Sequence, residues 1–209
     1  MAHPNKPHNT GFITMKSEHV SRLKHASAPP AFVLPAHDDS AVGQLCRELD
    51  AAFAAAETGA SFGLRVRYAL QRAIADSALL RPDQRIGDAH GYHRHLIAAD
   101  PLGRYAVASL VWEPGQASPV HGHRTWCGYA VIEGVLSETL FRWDAQTQDA
   151  VETRRQPRVA GAVSFVDAGR GTMHQLGNPA NTGTRAISLH VYGVAGEHIA
   201  THVNDLIAA

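Results

Sequence analysis

A mainly-β fold is predicted for this chain: a small antiparallel barrel, either a closed sheet or a double-sheet jelly roll, with helices packed against it from the N-terminal side. Three observations carry that reading. Beyond Gly87 the sequence consists of short β-branched or aromatic runs separated by Gly, Pro, Asn and Asp, with no helical pattern between them. Ahead of that point, two stretches repeat apolar residues at helical spacing. The length of 209 residues, 44% of them hydrophobic, is enough for one substantial core and lies within the range that β-barrels occupy as a single domain.

In chain order, residues 1–30 carry Pro4, Pro7, Pro29 and Pro30 among polar residues, and read as an irregular arm ahead of one domain spanning 31–209. A first helix is expected over 39–57, where Leu45, Leu49 and Phe53 share a face and Asp38 or Asp39 offers a cap. A second is expected over 61–80, ended by Pro82. The pair would buttress or cover a sheet. Strands are then expected at 92–98, 105–112, 127–133, 135–143, 151–159, 162–166, 174–176, 186–192 and 199–203.

Composition narrows the function. Lys plus Arg equals Asp plus Glu at 19 each, so no broad basic field exists to hold nucleic acid or an anionic membrane, and selectivity must come from a pocket. Cys46 and Cys127, the two cysteines, lack C-x-x-C spacing, which disfavours a disulfide scaffold and fits a reducing cytoplasm. The N-terminus lacks the apolar stretch of a signal peptide, and no run approaches the ~20 apolar residues that span a bilayer.

The chemistry concentrates between Gly115 and Gly134. His121 and His123 stand at i and i+2 in a β-patterned run, so their imidazoles project from one face and can grip one metal ion. Alone, such a pair is equally a packed or surface pair. A third ligand is available in His174, far enough downstream for the sheet to turn back. Three neutral imidazoles leave zinc, iron, nickel and copper open, and unfilled positions on the metal suit an Fe(II) oxygenase more than a closed structural site.

The spacing Gly115, His121-x-His123, Gly134 resembles the first cupin motif, and Gly161, Gly169, His174 and Asn178 resemble the second, with Asp167 where a proline is usual. The acidic ligand many cupins carry after the second histidine is missing; Cys127 and Gly128 stand there. Over roughly 91–192 the chain is more specifically similar to the cysteine dioxygenase family of thiol dioxygenases. The similarity lies in Y-H-R-H-L (92–96), the approach from Trp112 to His123, V-L-S-E-T-L-F (135–141), His174 and S-L-H-V-Y (188–192). It implies a cupin small β-barrel, Fe(II) held by His121, His123 and His174, and a substrate site including Arg94 and Tyr92. It also implies oxidation of a small-molecule thiol, L-cysteine favoured, by O2 to the sulfinic acid, with Ser188, His190 and Tyr192 as a supporting catalytic series.

Two of these roles also follow from side-chain chemistry. Ser188, His190 and Tyr192 alternate with Leu189 and Val191, so they share a strand face and can satisfy one another in a hydrogen-bond chain that aims the phenol at the metal. A guanidinium at Arg94 offers a planar fork to a carboxylate. Trp112, Trp126 and Trp143 read as core or rim aromatics. Mammalian members of the family join a cysteine to the active-site tyrosine through a thioether; the matching position here is Gly128. Cys127, one residue early, is expected to point away from the pocket, so no thioether to Tyr192 is expected. Relatives preferring 3-mercaptopropionate typically carry Gln at the Arg94 position and an Arg beyond the tyrosine. Neither is present, which favours cysteine over that rival. A third reading is a non-catalytic cupin that senses a metal or thiol.

Overall fold

The computed structural model describes residues 39–56 and 58–206, so the arm expected over 1–30 lies outside the described residues. Ser40 opens the first helix, α1 (Ala41–Ala54): its Oγ accepts the Gly43 N–H at 3.0 Å, and the cap is therefore Ser40, not the aspartate before it. Leu45, Leu49 and Ala52 form the buried face. The second helix, α2 (Gly59–Ala73), buries Phe62, Val66, Ala69 and Leu70 and stops short of the expected end at 80. The reason is local. Asp76 Oδ1 accepts the Ala78 N–H at 2.8 Å, a side-chain turn that competes with helix and returns Leu79 and Leu80 to the core.

Among the described residues ten strands follow: β1 (His93–Ala99), β2 (Ala106–Trp112), β3 (His121–His123), β4 (Cys127–Glu133), β5 (Val135–Asp144), β6 (Asp149–Val159), β7 (Val163–Val166), β8 (Gly169–Gly177), β9 (Ala186–Tyr192) and β10 (Asn204–Leu206). They pair antiparallel in two five-stranded sheets, β1-β2-β9-β4-β7 and β10-β3-β8-β5-β6. Leu136 and Leu176 of the second sheet pack in one cluster with Leu110, Trp112, Tyr129 and Val131 of the first, so the sheets close face to face as the expected mainly-β barrel. The strand expected at 199–203 is not formed. There the chain coils, with the Thr201 and His202 N–H groups both bonding the His198 carbonyl, and it rejoins the sheet only at β10. The β8 strand is longer than expected, starting at Gly169. Glycine makes the corner between β4 and β5: Gly134, at φ 74°, leaves no room for a Cβ, which would meet the Arg185 carbonyl at 2.6 Å.

The first sheet is buried on both faces, and alternation along its strands divides two cores. Val107, Val111, Ala130, Ile187, Leu189 and Val191 face α1 and α2. Ala106, Ala108, Leu110, Trp112, Cys127, Tyr129, Val131 and Tyr192 face the barrel interior. The helices thus buttress one sheet and leave the interior to the second core and the polar groups described next.

Candidate metal centre

β3 and β8 lie side by side with His121 directly opposite His174, and a register irregularity follows before His123 meets Gly169. This brings the three rings together. His121, His123 and His174 are buried, and their candidate ligand atoms lie within 4.8 Å of one another, the one such group of three among the described residues. The Nε2 atoms of His123 and His174 are 3.1 Å apart. Behind the rings, His121 Nδ1 lies 2.9 Å from the Pro119 carbonyl and His174 Nδ1 lies 3.0 Å from Glu138 Oε1. Each of those Nδ1–H groups therefore donates outward and leaves Nε2 as a lone pair facing inward. His123 Nδ1 is buried without a partner.

Electrostatics keep the site in the ligand state. Burial, reinforced by the neighbouring His174, lowers the His121 imidazole to about 4 and the His123 imidazole to about 3, so both are neutral at pH 7. Burial alone would raise the Glu138 carboxyl, but hydrogen bonds from His174 and Gln156 outweigh it and hold it at about 2. Three imidazole nitrogens converging on a buried point, with no carboxylate among them, fit a transition-metal ion. This is a metal-binding site.

The surrounding pocket is lined by Tyr92 just ahead of β1, by Arg94, Leu110, Trp112, Cys127, His190 and Tyr192 from the first sheet, and by Leu176 and Asn204 from the second. The expected Ser188, His190 and Tyr192 series is assembled on one face of β9. Trp112 Nε1 donates to Ser188 Oγ at 2.9 Å; Ser188 Oγ lies 2.9 Å from His190 Nε2, and His190 Nδ1 lies 3.1 Å from the Tyr192 hydroxyl. An indole only donates, so the chain has a direction. Ser188 Oγ–H donates to His190 Nε2, and His190 Nδ1–H donates to the Tyr192 oxygen. That leaves the Tyr192 O–H free to point into the pocket. Burial, then Arg94, depresses His190 far below the usual imidazole range, and burial raises the Tyr192 phenol above its usual value, so both are neutral.

Arg94 enters from β1. Its Nη1 donates to the Ile199 carbonyl at 2.8 Å, its guanidinium lies 5.6 Å from the Tyr192 ring centroid, and its Nε is buried without a partner. Tyr92 stacks on Trp112 with centroids 4.4 Å apart.

The expected orientation of Cys127 is wrong. Cys127 pairs directly with Tyr192 across β4 and β9, and both line the pocket. It is Gly128 that faces outward, toward Val66 and Leu70 of α2. Which face a residue takes depends on the register of β4 within the barrel rather than on its distance from His123, so the geometric ground for expecting no thioether falls.

Sequence reasoning also missed Trp112, Glu138 and Asn204. Trp112 heads the hydrogen-bond chain; a buried indole N–H needs an acceptor, which was the available signal. Glu138 sits between Leu136 and Leu140 in an alternating strand, a carboxylate at an inward position. Asn204 pairs with His123 across β10 and β3, a register no local pattern announces.

Residues 78–201, more than half of the chain, match the family Cysteine dioxygenase type I. The chain belongs to the cysteine dioxygenase type I family. The matched residues include all three histidines of the site. Solved structures similar to it include an oxalate oxidase in complex with glycolate, at 18% identity and TM-score 0.39 over 51% of this chain and 53% of that one. Another is a protein of unknown function with a cupin-like fold from Ralstonia eutropha, at 17% identity and TM-score 0.37 over 50% and 60%. A third is a hydroquinone 1,2-dioxygenase in complex with Cd2+ and 4-hydroxybenzonitrile, at 14% and TM-score 0.40 over 51% and 66%. The chain thus spans about half the length of the first of these. No helix among the described residues is long and apolar enough to cross a membrane.

Proposed function

We propose that this protein is an Fe(II)-dependent cysteine dioxygenase, converting L-cysteine and O2 to cysteine sulfinic acid. His121, His123 and His174 hold the metal through Nε2. Iron(II) held by these residues would supply the redox chemistry that brings O2 to a thiolate, both oxygen atoms ending on sulfur. The chain's own residues do the rest by positioning and electrostatics. Arg94 takes the substrate carboxylate, Tyr92 walls the same side of the pocket, and the Tyr192 O–H, aimed by Ser188 and His190, is a hydrogen-bond donor beside the reacting sulfur. A neutral phenol can hold that proton at neutral pH without becoming a competing anion. Both cysteines are buried outside any disulfide, which fits a reducing cytoplasm.

The observation that supports a carboxylate-bearing thiol is the buried, unpartnered Nε of Arg94 at the pocket wall; the preference for cysteine over 3-mercaptopropionate rests on the family resemblance at Arg94. A buried donor left unpaired is costly, and a carboxylate is the ligand that satisfies it. The test is oxygen uptake and product analysis after Fe(II) reconstitution, with cysteine, cysteamine and 3-mercaptopropionate. Arg94→Gln should cost about 2–5 kcal/mol in kcat/KM for cysteine and far less for cysteamine, which has no carboxylate. Equal losses on both, or a wild-type kcat/KM higher for 3-mercaptopropionate, would reject cysteine. Metal uptake without sulfinate from any thiol would leave a sensor.

A further inference from the structure

We infer that Glu138 is a positioning residue of the metal centre: through its bond to His174 Nδ1 it fixes that ring's tautomer and lends the centre negative charge that three neutral ligands lack. The inference rests on the metal-site reading above. Glu138 is 3% exposed, and a carboxylate that deep costs several kcal/mol unless it is paired and hydrogen-bonded. Its two oxygens are divided between two elements. Oε1 serves His174 at 3.0 Å, while Oε2 accepts from Gln156 Nε2 at 2.9 Å and lies 3.7 Å from Arg158 Nε, both on β6. A group acting only as packing would not need this arrangement; a group that polarises a ligand would.

The three histidines are consequently unequal. His121 leans on a neutral backbone carbonyl and His123 Nδ1 has no partner, so His174 alone is backed by an anion. A carboxylate accepting from Nδ1–H raises the basicity of the far nitrogen, making His174 the strongest donor of the set. The acidic residue missing from the ligands thus stands one hydrogen bond behind them. Because Gln156 and Arg158 draw on the other oxygen, β6 sets how much charge reaches His174.

The test measures metal affinity of the full chain by chelator competition, the Fe(III)/Fe(II) midpoint potential, and thermal unfolding of the metal-free protein. Glu138→Gln keeps an acceptor for Nδ1–H but removes the charge; it should lose roughly 10–100-fold in metal affinity and shift the potential upward while the metal-free protein stays folded. Gln156→Leu removes a competing donor and should shift the potential downward, the opposite sign. A merely structural role would weaken both variants alike. Unchanged affinity and potential in Glu138→Gln, or shifts of the same sign in both variants, would overturn the inference. Should Glu138→Gln fail to fold, Gln156→Leu decides alone: a lower potential supports the inference and an unchanged or higher one rejects it. A wild-type protein that takes up no metal sinks the site reading and this inference with it, whereas normal uptake with unaltered variants sinks only the inference.

Discussion

Cys127 and Tyr192 meet where β4 and β9 run side by side, one thiol and one phenol in the wall of the pocket. Burial raises the Cys127 thiol well above the usual range, so it stays protonated and does not compete with substrate thiolate for the metal. The expected outcome is that Cys127 in the folded protein resists alkylation at neutral pH; peptide mapping after timed treatment with iodoacetamide checks it, and rapid native labelling of Cys127 would contradict it. The histidines were legible in sequence because their geometry is mostly local: an i, i+2 pair on a strand, with a third within a motif. The shared face of the β9 series was legible on the same terms, whereas Arg94 was singled out only by the family resemblance; the structure places it in the pocket wall. The facing of Cys127 was not, since it is decided by barrel register, and neither were the partners that Trp112 and Glu138 find on other strands.

At the scale of elements, α2 rides on the outer face of β4 at a point where no side chain fits. A Cβ on Gly128 would lie 2.7 Å from Val66 Cγ1 and 3.0 Å from Leu70 Cδ1. Gly128→Ala should therefore destabilise by about 1–3 kcal/mol through overpacking, despite the better strand propensity of alanine. Denaturant unfolding of the metal-free protein measures it, and paired Gly128→Ala, Val66→Ala should recover part of the loss. Most strands were legible to within a residue or two, because turn residues bracket apolar runs. The short β3 and β10 were not among the expected strands, and β8 starts five residues ahead of the expected 174. The end of α2 yields to the Asp76 side-chain turn, and the segment after β9 stays coiled around the His198 carbonyl although Ile199 and Val203 give it a strand-like pattern; both are buried there by packing instead.

Over the whole molecule, several buried histidines must stay neutral for the barrel to close. His121, His123 and His190 are all depressed in the folded state relative to about 6.5 when unfolded. Between those values the unfolded chain binds more protons than the folded one, so the stability these groups contribute is present above about pH 6.5 and is lost as pH falls toward the folded values. The metal-free protein should thus melt progressively lower from about pH 7 to about pH 4.5, with His121 alone accounting for roughly 3 kcal/mol at full development. Calorimetry across that range checks the sign; a flat profile would mean the rings reach solvent. Only the tertiary structure reveals this dependence, since the burial that depresses these rings is set by packing between the two sheets rather than by local spacing. The double burial of β9 has a consequence of another kind. Ile187, Leu189 and Val191 serve the helical layer, while Ser188, His190 and Tyr192 serve the pocket. A saturation scan of this strand, scored separately for cellular abundance and for turnover, should read as a comb: odd teeth where substitutions deplete the protein, even teeth where they silence it beyond what depletion explains.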